Sequence, residues 1–181
     1  MKKILIIVII MFSFLSKTNA SYEQLAHAFS FKNINGGKIN LENYKNNVIV
    51  VVNVASRCGF TNQYEDLQNL WTKYKDNNLV VIGVPTNNFK QEPGSNKEIK
   101  DFCKTNFNIN FPMTEKMDVI GSKAHPFFIW AKDNHGKSAI PKWNFHKIII
   151  GKDGKVLDTF TSITKPSAKK FIRLIEKEIK N

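Results

Sequence analysis

Two apolar runs organise the middle of the chain. Val48 to Val54 (VIVVVNV) is almost wholly β-branched, the pattern of a strand buried on both faces. Leu79 to Val84 (LVVIGV) repeats it. Between them the period changes: Tyr64, Leu67, Leu70, Trp71 and Tyr74 fall on one helical stripe, which Asn77-Asn78 ends. Strand, one-faced helix and strand make a βαβ unit, whose right-handed crossover joins parallel strands.

Pro85 to Gly94 (PTNNFKQEPG) is a polar loop dense in turn residues. Ser95 then offers an N-cap with Glu98 three positions on, a capping box. The helix it opens carries Ile99, Phe102, Cys103 and Phe107 on its apolar side. Beyond Phe111-Pro112 the pattern is variable until Lys147 to Ile150, where Lys152-Asp153-Gly154 separates two β-rich runs and predicts a hairpin with Val156 to Phe160. Pro166 is expected to start a last helix with Phe171, Ile172, Leu174, Ile175 and Ile179 on its apolar face. This order is similar to that of a thioredoxin-like α/β domain, a mixed central β-sheet flanked by helices. No repeat or low-complexity linker divides it.

The N-terminus follows a different plan. Lys2 and Lys3 precede an apolar run from Ile4 to Leu15, and Ser16 to Ala20 is a short polar segment ending in a small residue. That is the layout of a secretory signal peptide over 1–20, leaving a mature domain over 21–181 and an exported protein, periplasmic or secreted. An uncleaved anchor is the competing reading, but the run falls short of the roughly 20 residues that span a bilayer. The formal net charge is +12, from 27 Lys and Arg against 15 Asp and Glu. The lysines are scattered, without an Arg-rich tract or a basic stripe interleaved with aromatics, so a nucleic-acid partner is not expected. A solvated surface accounts for the charge, with transient contact to an anionic membrane surface as the further reading. His27, His125, His135 and His146 show no ligand spacing, and neither a metal nor another cofactor is expected.

Chemistry has to be sought at the two cysteines, Cys58 and Cys103. In an oxidising compartment a structural disulfide is the first reading. It would stabilise the fold by on the order of 4 kcal/mol through chain entropy. Cys58, however, follows a buried strand and precedes a helix. Sites in α/β sheets gather at the carboxyl ends of strands. The start of a helix presents free N–H groups that favour a thiolate, the reactive form. Position alone leaves the reactive and the structural thiol open. Cys58-Gly59-Phe60-Thr61 has the form of a CxxC redox pair with Thr in place of the second cysteine. Any resolving thiol then lies elsewhere, and Cys103 is the remaining cysteine.

Asn53-Val54-Ala55-Ser56-Arg57-Cys58-Gly59-Phe60-Thr61, Gln91-Glu92-Pro93-Gly94, and Trp143-Asn144-Phe145 with Lys147 stand in that order along the chain. In these three motifs, and in Phe111-Pro112, Lys116 and Gly121, the chain resembles the glutathione peroxidase family from about Phe29 to its end. The resemblance implies a catalytic set of Cys58, Gln91, Trp143 and Asn144, with cysteine rather than selenocysteine at the reacting position. The amides and the indole N–H are hydrogen-bond donors, suited to stabilising a thiolate and the oxygen that leaves it. Two departures stand out: the loop from Val84 to Gly94 is one residue shorter than the family's usual pattern, and Thr86 and Asn88 replace the cysteine and glutamine that many members carry.

The resemblance further implies a thiol peroxidase that reduces hydrogen peroxide and organic or lipid hydroperoxides through a sulfenic acid at Cys58. Cys103 matches the resolving cysteine of the thioredoxin-dependent branch, with a thioredoxin-like protein or glutathione as the reductant. Only a short segment separates Trp130 from Trp143, where tetrameric members carry a long insertion, so a monomer is expected. A redox sensor or binding module on the same fold, and a thiol–disulfide oxidoreductase, are the alternatives.

Overall fold

The structure, a computed structural model, describes residues 23–181, and the leader expected over 1–20 lies outside them. The chain runs β1 (Ser30–Lys32), β2 (Lys38–Asn40), β3 (Val48–Val54), α1 (Gln63–Tyr74), β4 (Leu79–Pro85), α2 (Asn96–Phe107), α3 (Pro126–His135), β5 (Lys147–Ile150), β6 (Val156–Phe160) and α4 (Lys169–Lys180). β1 and β2 form a separate antiparallel pair. The central sheet has the order β4-β3-β5-β6. β3 and β4 are parallel, as the βαβ pattern requires, and β5 and β6 join antiparallel. This is the thioredoxin-like arrangement with a mixed sheet.

Alternation along β3 divides the core in two. Val48, Val50, Val52 and Val54 pack with α1, α2 and α4 through Leu67, Ile99, Phe171 and Ile175. Ile49 and Val51 pack on the other side with Phe127, Phe128 and Trp130 of α3 and with Phe31 and Ile39 of the small hairpin. Because helices or hairpin cover both faces, the central strand is apolar at every position but one, Asn53. The β5–β6 turn is closed by Gly154 at φ 77°, where an added Cβ would stand 2.7 Å from the His27 ring.

Two elements lie outside what the sequence pattern predicts, and one boundary moves. α3 was hidden in the stretch of variable pattern: residues 126–131 are apolar without a break, exposed Ile129 among buried Phe127, Phe128, Trp130 and Ala131, so no alternation reveals a helical period there. Pro126 at its first position and the His125 side chain, which accepts from Phe127 N–H, define its start. The hairpin β1–β2, three residues per strand, was too short to register. α4 starts at Lys169 rather than at Pro166, which lies in the preceding turn, and the Phe171 and Ile172 N–H groups bond to Ala168 O.

The capping box forms as read: Ser95 Oγ accepts from Glu98 N–H, and the Glu98 carboxylate accepts from Ser95 N–H at 2.7 Å. It starts the helix that carries Cys103. Ser95→Ala should therefore cost about 1 kcal/mol, lowering the urea midpoint without changing the slope of the transition. An unchanged midpoint would show that the cap does not hold α2.

Candidate active site

Cys58 lies just past the carboxyl end of β3, 8% exposed. α1 begins at Gln63, so the thiol precedes the helix, as the sequence pattern implies, with residues 59–62 between them. A chain of tight turns bridges the gap. Thr61 N–H donates to Cys58 O, and Tyr64 N–H to Thr61 O. Phe60 N–H approaches Cys58 Sγ at 3.4 Å, so a backbone donor still reaches the sulfur. Thr61, where a CxxC motif would place its second cysteine, has its hydroxyl occupied: it accepts from Cys58 N–H and donates to Ala55 O, each at 3.0 Å.

The loop after β4 is stitched to this turn. Arg57 N–H donates to Gln91 O at 3.0 Å, while Ser56 N–H and Oγ–H both donate to the buried Glu92 carboxylate at 2.8 and 2.9 Å. Burial raises the Glu92 carboxyl above its usual range, and the two Ser56 donors partly offset it. Lys116 ties down the far side of the loop through Gly94 O at 2.5 Å. Lys90, in the left-handed region at φ 58°, turns the chain immediately before Gln91. The shorter loop is closed internally: Thr86 Oγ–H donates to Asn88 Oδ1, and Asn88 Nδ2 to Asp118.

The third segment enters from β5. Asn144 is buried and its Nδ2 donates to Gln91 Oε1 at 2.8 Å, joining the two amides. With the Gln91 carbonyl taken, its NH₂ end is the one left to donate. Asn144 Oδ1 is buried without a partner. Trp143 is 41% exposed, with its ring tilted against Phe89 at 5.5 Å. Asn53 holds this segment at three points. Its Nδ2 donates to Trp143 O at 3.1 Å, its N–H to His146 O at 3.2 Å, and its O accepts from Phe145 N–H at 2.6 Å. Phe145 sits at φ 63°, an unusual place for a bulky side chain and a strain of about 1–3 kcal/mol, held in place by these bonds.

Cys103 lies on the inner side of α2, 3% exposed, in the same apolar cluster as Cys58. The two thiols are free, so the structural disulfide is absent. Burial pushes the Cys103 thiol up to about 11, with the Tyr64 hydroxyl beside it acting in the opposite direction. That hydroxyl faces the thiol at a geometry short of a well-formed hydrogen bond and has no better partner. Among the described residues, no three His, Cys, Asp or Glu side chains gather as a metal site.

One backbone bond therefore joins the Cys58 turn to Gln91 and one side-chain bond joins Gln91 to Asn144, with Trp143 next to Asn144 in the chain and Cys103 in the core. Missed at the level of sequence were Gln63 and Ser162. Gln63 Nε2 donates to Ser162 O, and Ser162 Oγ–H to Asn144 O, each at 2.6 Å. No local pattern marks either residue. Asn53 did carry a signal, as the one polar residue in VIVVVNV.

The family model for glutathione peroxidase matches residues 26–132. The chain belongs to the glutathione peroxidase family. It is 42% identical to glutathione peroxidase-like peroxiredoxin 2 of Saccharomyces cerevisiae, over 76% of this chain and 87% of the relative. Identity is 40% to hydroperoxy fatty acid reductase gpx1 of Synechocystis, over 77% and 88%. The crystal structure of Trgpx in its apo form superposes with a TM-score of 0.69 at 32% identity, over 88% of this chain and 97% of that one. Family membership makes the protein a peroxidase, an oxidoreductase.

The two thiols should differ in reactivity. At pH 7.5 a folded, reduced glutathione peroxidase of this kind should lose Cys58 to iodoacetamide at least about tenfold faster than Cys103, whose thiolate fraction grows about tenfold per pH unit towards 11. Peptide mapping over time reads both rates. Equal labelling in the native state would contradict the placement of Cys103.

Proposed function

We propose that Cys58 is the peroxidatic thiol of a monomeric two-cysteine peroxidase acting on hydrogen peroxide and organic hydroperoxides. The observation that carries this is the joining of three separate segments at one place: the Cys58 turn bonded to Gln91 O, and the Gln91 side chain bonded to Asn144. The Cys58 thiolate attacks one oxygen of ROOH, the O–O bond breaks, and ROH leaves with a proton from solvent, giving Cys58–SOH. Sulfur is oxidised by two electrons and the peroxide reduced by two. The Gln91 NH₂ and the indole N–H of Trp143 stabilise charge on the departing oxygen. The unpartnered Asn144 Oδ1 is an acceptor for the hydroperoxide O–H.

Cys103–SH then condenses with Cys58–SOH, releasing water and forming a disulfide. A disulfide needs the two Cα atoms within about 7 Å, and because Cys103 sits on the buried side of α2, loosening of that helix is part of the proposed step. A dithiol of the thioredoxin type reduces the disulfide and is itself oxidised. This donor is favoured over glutathione because the chain supplies its own second thiol. The occupied Thr61 hydroxyl argues against a CxxC-type disulfide reductase. Lipid hydroperoxides belong among the substrates: exposed Trp143 and Ile163 flank the segment bonded to Asn144, and the Synechocystis relative is named for fatty-acid hydroperoxides. Exposed Lys142 precedes Trp143 and exposed Lys165 lies two residues after Ile163, which supports transient contact with an anionic membrane surface. The leader pattern over 1–20 supports export, with the electron donor in the same compartment.

Turnover with thioredoxin and its reductase separates the roles. Cys58→Ser should abolish peroxide consumption, and Gln91→Ala or Asn144→Ala should lower kcat/KM by about 10²-fold. Cys103→Ser should give one equivalent of peroxide consumed and then stop. Full turnover by Cys103→Ser would overturn its resolving role, and activity in Cys58→Ser the whole scheme.

A further inference from the structure

Lys147 is a charged side chain that the scheme above leaves without a task. It opens β5 and is fully buried. A buried ammonium usually has a carboxylate against it. Here Nζ instead donates to two neutral oxygens, Gln63 Oε1 at 2.5 Å and Thr164 O at 2.7 Å. Gln63 is the first residue of α1, the helix into which the Cys58 turn leads. Its amide continues to Ser162 O, Ser162 Oγ–H to Asn144 O, and Asn144 Nδ2 to Gln91. A continuous set of contacts thus leads from the buried amine to the two amides of the site.

We propose that Lys147 is a positioning residue for peroxide reduction: it clamps the start of α1 and the 162–164 turn together, and so sets the backbone of Asn144 and its bond to Gln91. The inference rests on reading Gln91 and Asn144 as groups that meet the peroxide.

The donor count supports it. An ammonium offers three N–H donors to two acceptors, whereas a neutral amine offers two. Burial pushes the Lys147 amine down to about 7, opposed at longer range by Asp66 of α1. The adjoining His146 is itself held down to about 4, chiefly by burial and then by Lys147 and Lys142. The strand partners Val52 of β3 and Phe160 of β6 bring no charge. Since the folded value lies below the ordinary 10.5, the unfolded chain binds more protons between about pH 7 and 10.5. The contribution of this group to stability therefore rises with pH across that window and is least below it.

The test uses the full chain and stopped-flow oxidation of Cys58 by hydrogen peroxide from pH 6 to 9. Lys147→Met and Gln63→Leu should each slow the reaction about tenfold. The wild type should show an inflection near pH 7; the double variant should be no slower than either alone, and both single variants should lose that inflection. Urea unfolding of Lys147→Met should also lose the rise of stability above pH 7. A wild-type rate and pH profile in Lys147→Met would overturn the proposal. If that variant does not fold, a wild-type rate in Gln63→Leu does the same. No oxidation of Cys58 in the wild type would instead overturn the peroxidatic reading itself.

Discussion

The hydrogen bond from Asn144 Nδ2 to Gln91 Oε1 joins two loops that leave the sheet from different strands, β4 and β5, which are not neighbours in it. β3 lies between them, and its carboxyl end carries Cys58. In the proposed scheme the groups that act on a peroxide at Cys58 come from those two loops, so the scheme depends on their meeting. The contact is part-buried with Asn144 fully so, and an amide left there without its partner is costly, which holds the two loops in register.

The parts around this bond are arranged to protect it. Glu92 receives two donors from Ser56, and Lys116 fixes the loop from behind, so Gln91 has little freedom. On the other side Asn53 replaces the apolar residue that a buried strand would otherwise carry and engages the 143–146 segment at three atoms. Those contacts offset the left-handed backbone of Phe145, whose ring is buried edge-on against Tyr64 at 5.3 Å. A site residue and a core residue are thus presented to opposite sides by adjacent positions. Tyr64 links that packing to Cys103, which shares one buried cluster with Cys58.

Much of this was legible in the chain. VIVVVNV has the bounds of β3 as found, because a strand covered on both faces is apolar throughout. The capping box marked the start of α2, since the Ser95 and Glu98 side chains each accept from the other's backbone N–H. α3 was not legible, because its apolar residues surround it on nearly every side. The helical stripe that opens at Tyr64 marked α1, which begins one residue before it at Gln63, with the turn residues 59–62 leading in. The support of the site by Gln63, Ser162 and Thr164 could not be read at all. These side chains and carbonyls act across 17 to 99 positions of sequence, where no local period carries information. Lys147 in front of three isoleucines was a visible oddity whose meaning depended on those distant partners.

The account stands on oxygen being transferred first to Cys58 and to no other atom. Mass spectrometry of Cys103→Ser protein, treated with one equivalent of hydrogen peroxide in the presence of dimedone, tests this most directly. The predicted result is a single adduct, located on Cys58, in proportion to the peroxide consumed. Peroxide lost while Cys58 stays unmodified would contradict it.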